Sequence, residues 1–252
     1  MKKNTFKIFI FAFILAPFFA KAQHNASKGI ALLANFNYGV AKPSKDLAVR
    51  FGMSSATGIG IELLGNKTNL IVGADFSYFF SKKVNEDPLA KLVNYDTYIY
   101  GNDKGLSSYL LRERGFIMQG YVGKLFVFDK KAANRSGIRF TLGAGYMQHK
   151  IRLQDDSRSI SQLSGDYKKG YDRLTGGLSL SQYIGYQYLS SNRRINFSIG
   201  FDISEGFTKS KRDWDFDLKS KNTAQRLDLL YGIRATLILP FYLGDLGEKD
   251  EY

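Results

Sequence analysis

His149 is followed by Asp155, Asp156 and Asp172 and by several serines. These residue types can be assembled into a nucleophile, a base and an orienting acid, as in acyl-transfer and hydrolytic centres. Nothing in their spacing demands that chemistry, and no Gly-x-Ser-x-Gly elbow is present. The run Asp213-Trp214-Asp215-Phe216-Asp217 sets three acids at alternate positions. It could attract Ca²⁺, but it lacks the glycine and the closing glutamate of an EF-hand loop. Lys211, Arg212, Lys219 and Lys221 flank it and are expected to neutralise it. Gly58-Ile59-Gly60 lies inside a strand pattern and does not open a helix, so it is no phosphate cradle.

The rest of the composition removes other chemistries. With no Cys and two His, His24 and His149, the chain can build neither a thiolate site nor a multi-histidine metal centre. No cofactor is expected, and the leading expectation is a protein that is not an enzyme. An outer-membrane hydrolase or acyltransferase on the extracellular rim near His149 is the alternative.

The elements that must carry these residues begin after an export segment. Lys2, Lys3 and Lys7 precede an apolar stretch from Ile8 to Ala20, and Ala20-Lys21-Ala22 offers small residues for a cut before Gln23. Residues 1–22 are therefore expected to be a secretory signal peptide. Its four lysines lower the formal charge of +13 to +9 in the remaining chain. In an exported protein such a balance points to outer-membrane lipid phosphate and lipopolysaccharide as neighbours, with no nucleic acid.

Alternation with a period of two recurs through the remainder. Ile195, Phe197, Ile199, Phe201 and Ile203 share one face, against Asn196, Ser198, Gly200, Asp202 and Ser204. Similar patterns predict eight strands near 29–40, 55–64, 69–83, 115–128, 137–152, 177–190, 195–212 and 226–242. The fourth is the least regular, because neither of its faces is cleanly polar. Short connections at 65–68, 129–136 and 191–194 alternate with long ones at 41–54, 84–114, 153–176 and 213–225. That is the pattern of an all-β, eight-stranded antiparallel up-and-down transmembrane β-barrel, with short periplasmic turns and long extracellular loops. The barrel is expected over residues 23–243, followed by a short acidic tail at 244–252.

A soluble lipocalin-like carrier would turn the same apolar face inward. The polar face argues against it. That face is rich in Gly, Ser, Asn and Thr and holds Glu62, Asp75, Asp202 and Asp228 with Arg139, Arg226 and Arg234, a set suited to mutual pairing in a narrow lumen. Eight strands leave room for side chains but not for an aqueous pore. Aromatics such as Tyr38, Tyr78, Phe80, Phe126, Phe128, Tyr146, Tyr186, Tyr188, Phe241 and Tyr242 gather near strand ends, as interfacial girdles do. The loops are rich in Leu and Tyr. Tyr95, Tyr98, Tyr100, Tyr109, Tyr167 and Tyr171 are candidates for a lid, for a docking surface, or for both. Lys130, Lys131, Arg135, Arg193 and Arg194 in the short turns are expected to reach lipid headgroups.

Three stretches carry a resemblance. They are Leu163-Ser164-Gly165-Asp166-Tyr167-Lys168-Lys169-Gly170-Tyr171-Asp172-Arg173-Leu174, then Tyr183 to Ser190, then Arg226 to Tyr242. Together they resemble a family of small outer-membrane β-barrel proteins of Bacteroidota. The resemblance implies an accessory subunit of a larger outer-membrane protein complex, for barrel assembly or type IX secretion, and carries no catalytic residues. A broader likeness to OmpA/OmpX-type barrels implies the fold only. The acidic tail departs from a chain that ends at its last strand's aromatic residue.

Overall fold

The computed structural model describes residues 30–94, 98–102, 104–128, 135–156, 159–190 and 194–243. The signal segment, the acidic tail, Tyr95, Lys130, Lys131 and Arg193 lie outside the described residues.

Eight long strands close into a ring, each antiparallel to its neighbours. They are β1 (Ile30–Lys45), β2 (Ser54–Leu64), β3 (Leu70–Ser81), β6 (Leu110–Val127), β7 (Gly137–Gln154), β8 (Thr175–Leu189), β9 (Asn196–Ser210) and β10 (Gln225–Leu243). The ring closes where β1 pairs with β10, from Ile30 opposite Leu243 to Lys45 opposite Asp228. A five-residue helix, α1 (Asp46–Arg50), follows β1, and a small hairpin of β4 (Tyr98–Tyr100) and β5 (Leu106–Ser108) sits in the longest loop. Neither was predicted, because each is too short to show a period.

Two strands run further than their patterns suggest. β1 continues through Pro43, which pairs with β10 after the β2 ladder has ended at Ala41 opposite Ser54. One side of the strand is free there, an edge position of the kind at which a strand tolerates proline. β6 starts at Leu110, five residues before the predicted boundary, and pairs with β7 up to Gln154.

Side chains alternate across the wall. Ile61 on β2, Val122 on β6 and Phe201 on β9 are 62%, 58% and 63% exposed. Phe36, Val72, Leu142, Leu180 and Ile233 extend this apolar band onto the other five barrel strands. The inward face is layered. Ala31, Leu33, Leu64, Ile71, Leu125, Leu189 and Ile238 form an apolar plug at the short-turn end. Leu47 and Phe51 descend from α1 and its exit onto Phe79, Ile117, Met147, Ile151 and Leu230, forming a second plug at the long-loop end. Polar residues fill the space between. The layering explains β6, whose inward Ile117 and Leu125 belong to the two plugs while Gln119 lies between them. The inward-facing apolar lining of a lipocalin-like carrier is not what the barrel has.

Candidate functional site

The middle layer is built by positions that alternate with the outer band. Arg139 on β7 donates from Nη1 and Nη2 to the two oxygens of Glu62 on β2, at 2.7 and 2.6 Å. The Tyr121 hydroxyl donates to the same carboxylate at 2.6 Å, and Arg139 also donates to Gln187 at 3.0 Å. The guanidinium lies 5.6 and 5.8 Å from the Tyr121 and Tyr183 rings. Arg234 stands between Asp75 at 3.8 Å and Asp202 at 3.4 Å, with its guanidinium 4.6 Å from the Tyr183 ring. Gln119 donates to Asp75 at 2.9 Å. The pairings left open by the sequence are thus Glu62 with Arg139, and Asp75 and Asp202 with Arg234. The cavity enclosed by these side chains is about 20 Å³, room for roughly one water.

His149 sits higher in the lumen, and it is not on the rim. Its side chain is fully buried, Nε2 is 2.8 Å from Asp228 Oδ2, and the edge of Phe51 meets the ring at 5.6 Å. Thr208 and Arg226 also donate to Asp228, at 2.5 and 3.1 Å. His149 is odd-numbered on β7, like inward Ile151 and Met147, and that parity was available from the strand pattern. Asp155 and Asp156 lie beyond the strand end. Asp172 is taken by Arg212 at 2.5 Å, so the proposed histidine and its acids do not converge. Nearby, Ser54 hydrogen-bonds the buried Glu113.

Above the upper plug the long loops are cross-braced. Arg173 donates to Glu86 at 2.7 Å and to both oxygens of Asp217 at 2.8 and 2.5 Å, and stands 3.5 Å from Asp215. Arg50 at the end of α1 reaches the other Glu86 oxygen at 2.8 Å and Thr175 at 2.7 Å. Four connections therefore meet at two arginines. Two acids of the 213–217 run, Asp215 and Asp217, are held by Arg173 from another loop. Of their flanking bases, Lys221 reaches Asp213 at 3.5 Å and Arg212 turns to Asp172. This brace is not legible in the sequence, since nothing local couples positions 50, 86, 173 and 217.

Burial acts to raise the Glu86 carboxyl, but the charge of Arg50 and the bonds from Arg173 outweigh it and hold it below its ordinary value. Asp217 is likewise held low, with burial overcome by Arg173. Burial pushes the Asp215 carboxyl up, with Arg173 acting against it. No cluster of three or more His, Cys, Asp or Glu among the described residues could hold a metal ion.

The loops also share a small apolar core of Leu89, Ile99, Ile160 and Tyr171, with Tyr109 packed against it. The Tyr109 hydroxyl donates to Asp87 at 2.5 Å. These contacts form a lid. Tyr98, Tyr100 and Tyr167 are 39%, 58% and 64% exposed on it, beside exposed Trp214 and Leu218. In the short turns, Arg135 is buried and donates to Asn69 Oδ1 at 2.8 Å and Asn66 O at 3.2 Å, so it ties two turns together instead of reaching outward.

No family model and no curated protein matches the chain. Among solved structures it is similar to Neisserial surface protein A, with 12% identity, 82% of this chain and 97% of that chain covered, and a TM-score of 0.39. It is also similar to Ail, the attachment invasion locus protein of Yersinia pestis, with 13% identity, 85% and 99% covered, and a TM-score of 0.39. A third similar structure is the N-terminal β-barrel domain of Pseudomonas aeruginosa OprF, with 9% identity, 82% and 96% covered, and a TM-score of 0.35.

Proposed function

We propose that this chain is an outer-membrane barrel that serves as a structural or accessory subunit, docking on a larger outer-membrane assembly through its lid and wall. The membrane reading rests on the apolar band, which is exposed on all eight strands, whereas a soluble monomer carries only small apolar patches. Two aromatic belts bound it. Phe76, Phe116 and Tyr146 meet in series at 5.7 and 6.3 Å towards the loop end, and Phe128, Tyr186 and Phe197 at 6.2 and 6.3 Å at the turn end.

The observation that carries the subunit reading is the lid. Its interior is braced and apolar, and its outer face still presents Tyr98, Tyr100, Tyr167, Trp214 and Leu218, rigid side chains of the kind that dominate interface energetics. Tagged protein recovered from outer membranes in mild detergent should bring down a larger barrel or secretion subunit in stoichiometric amount, identified by mass spectrometry. Tyr100→Ser with Tyr167→Ser should reduce that recovery without changing heat-modifiable migration. Recovery of a folded barrel with no companion would sink the docking role. Absence of the protein from the outer-membrane fraction would sink the location.

A further inference from the structure

The outer wall carries a charge arrangement that neither the lumen network nor the lid explains. Arg112 lies directly opposite Arg152, and Arg114 directly opposite Lys150, across the β6–β7 ladder. All four are on the outward parity of their strands, and none is ion-paired among the described residues. Like charges opposed on one sheet face repel and destabilise the pairing. The arrangement sits immediately above the aromatic belt: the next opposed pair down is Phe116 with Gln148, then Met118 with Tyr146. Arg114 is 6.0 Å from the Phe80 ring, and Lys211 lies 5.9 Å over Tyr146.

Two concavities open on these cations. One, of about 280 Å³, is lined by Tyr78, Arg114, Phe116, Gln148, Lys150 and Arg152. The other, of about 700 Å³, shares Lys150 and Arg152 and continues under the 155–174 loop, where Lys168, Lys169 and Arg212 face it. There Arg212 is paired with Asp172 and Lys169 with Asp166, and Asp155 accepts from the Ile160 amide at 2.8 Å, so the unpaired cations of the concavity are Lys150, Arg152 and Lys168 among the described residues.

We propose that the outward face of β6–β7 at the loop end is a binding site for an outer-leaflet lipid that carries more than one phosphate. Its phosphates would lie among Arg112, Arg114, Lys150 and Arg152, and its acyl chains along the apolar wall below. Charge complementarity selects the phosphates, since planar guanidiniums bind phosphate oxygens in pairs. The belt and wall directly beneath select an amphiphile over a soluble anion. The inference rests on the outer-membrane reading and gives that wall a specific lipid.

The test titrates the full refolded barrel in detergent micelles with bisphosphorylated lipid A, enzymatically dephosphorylated lipid A, or inorganic pyrophosphate, counting bound molecules by native mass spectrometry. Bisphosphorylated lipid A should bind at one site. Arg114→Gln with Lys150→Gln, and separately Arg152→Gln, should weaken it about tenfold or more, while Lys124→Gln on the turn-end wall leaves it unchanged. These variants should also be at least as stable as the parent without lipid, because they relieve repulsion. Equal binding of the dephosphorylated lipid, insensitivity to the substitutions, or full displacement by pyrophosphate would each overturn the proposal. Fractionation of the parent protein tests the outer-membrane location separately, so the two readings fail in different experiments.

Discussion

Replacing Arg139 by Met would remove the cation that faces Glu62 inside the barrel. The two side chains are 6% and 0% exposed and joined by two bonds of 2.7 and 2.6 Å, so the remaining carboxylate would keep only the Tyr121 hydroxyl. Leaving one partner of such a pair uncompensated costs about 3–5 kcal/mol, a large share of the stability of most folded domains. Glu62→Leu should cost a similar amount by stranding the guanidinium. The double variant should cost far less, about 2 kcal/mol, because it strands only the neutral Tyr121 and Gln187 groups. A coupling of about 3 kcal/mol or more should therefore appear in the double-mutant cycle. Guanidinium unfolding in micelles, followed by far-ultraviolet circular dichroism and by heat-modifiable migration, measures all three variants. If Arg139→Met costs under about 1 kcal/mol, or the double variant costs the sum of the two singles, the reasoning about a dry, mutually dependent pair is wrong.

Further expectations follow from the other layers. His149 should resist acylation by diethylpyrocarbonate until the barrel unfolds, read by peptide mapping separately from His24, and Phe51→Ala should open it to the reagent at a stability cost of about 3–5 kcal/mol. Rapid labelling of the folded parent would contradict its burial. The lid brace should depend on pH. Glu86 and Asp217 are held below their ordinary values of 4.5 and 3.8, so their stabilisation is complete above those values and is lost as pH falls through the depressed ones. Proteolysis of 84–92 and 211–221 should rise in acid, and Arg173→Met should reproduce that sensitivity at neutral pH. Protonation of the raised Asp215 acts in the opposite sense, so Asp215→Asn removes that contribution; an unchanged cleavage pattern in both variants would refute the brace. Gly115→Ala should destabilise by about 1–3 kcal/mol, since its Cβ would collide with the Phe79 ring and lie 2.8 Å from the Gln148 carbonyl. A neutral effect on unfolding would mean the upper plug is looser than described.

The strand positions and the sidedness of the wall were legible from residue order, because a strand's side chains alternate strictly and one face of this wall is apolar throughout. Ile195 to Ile203 and Ile138 to Tyr146 show this, as does the placement of short and long connections at opposite ends. Alternation along one chain also assigned seven charged residues to the polar face, while Gln119, Tyr121, Gln187 and His149, which bond to them, were not among the seven. It could not pair them, because a partner in a barrel is set by the shear between strands far apart in sequence: Glu62 meets Arg139 across 77 residues, and Arg173 meets Glu86 across 87. The same limit applies to His149, whose role was read from neighbouring acids in the loop while its real partner, Asp228, lies 79 residues away on β10. Local pattern determines which face a side chain takes. Only closure of the ring decides what it meets there, because closure alone brings β2 across from β7 and folds the loops onto one another.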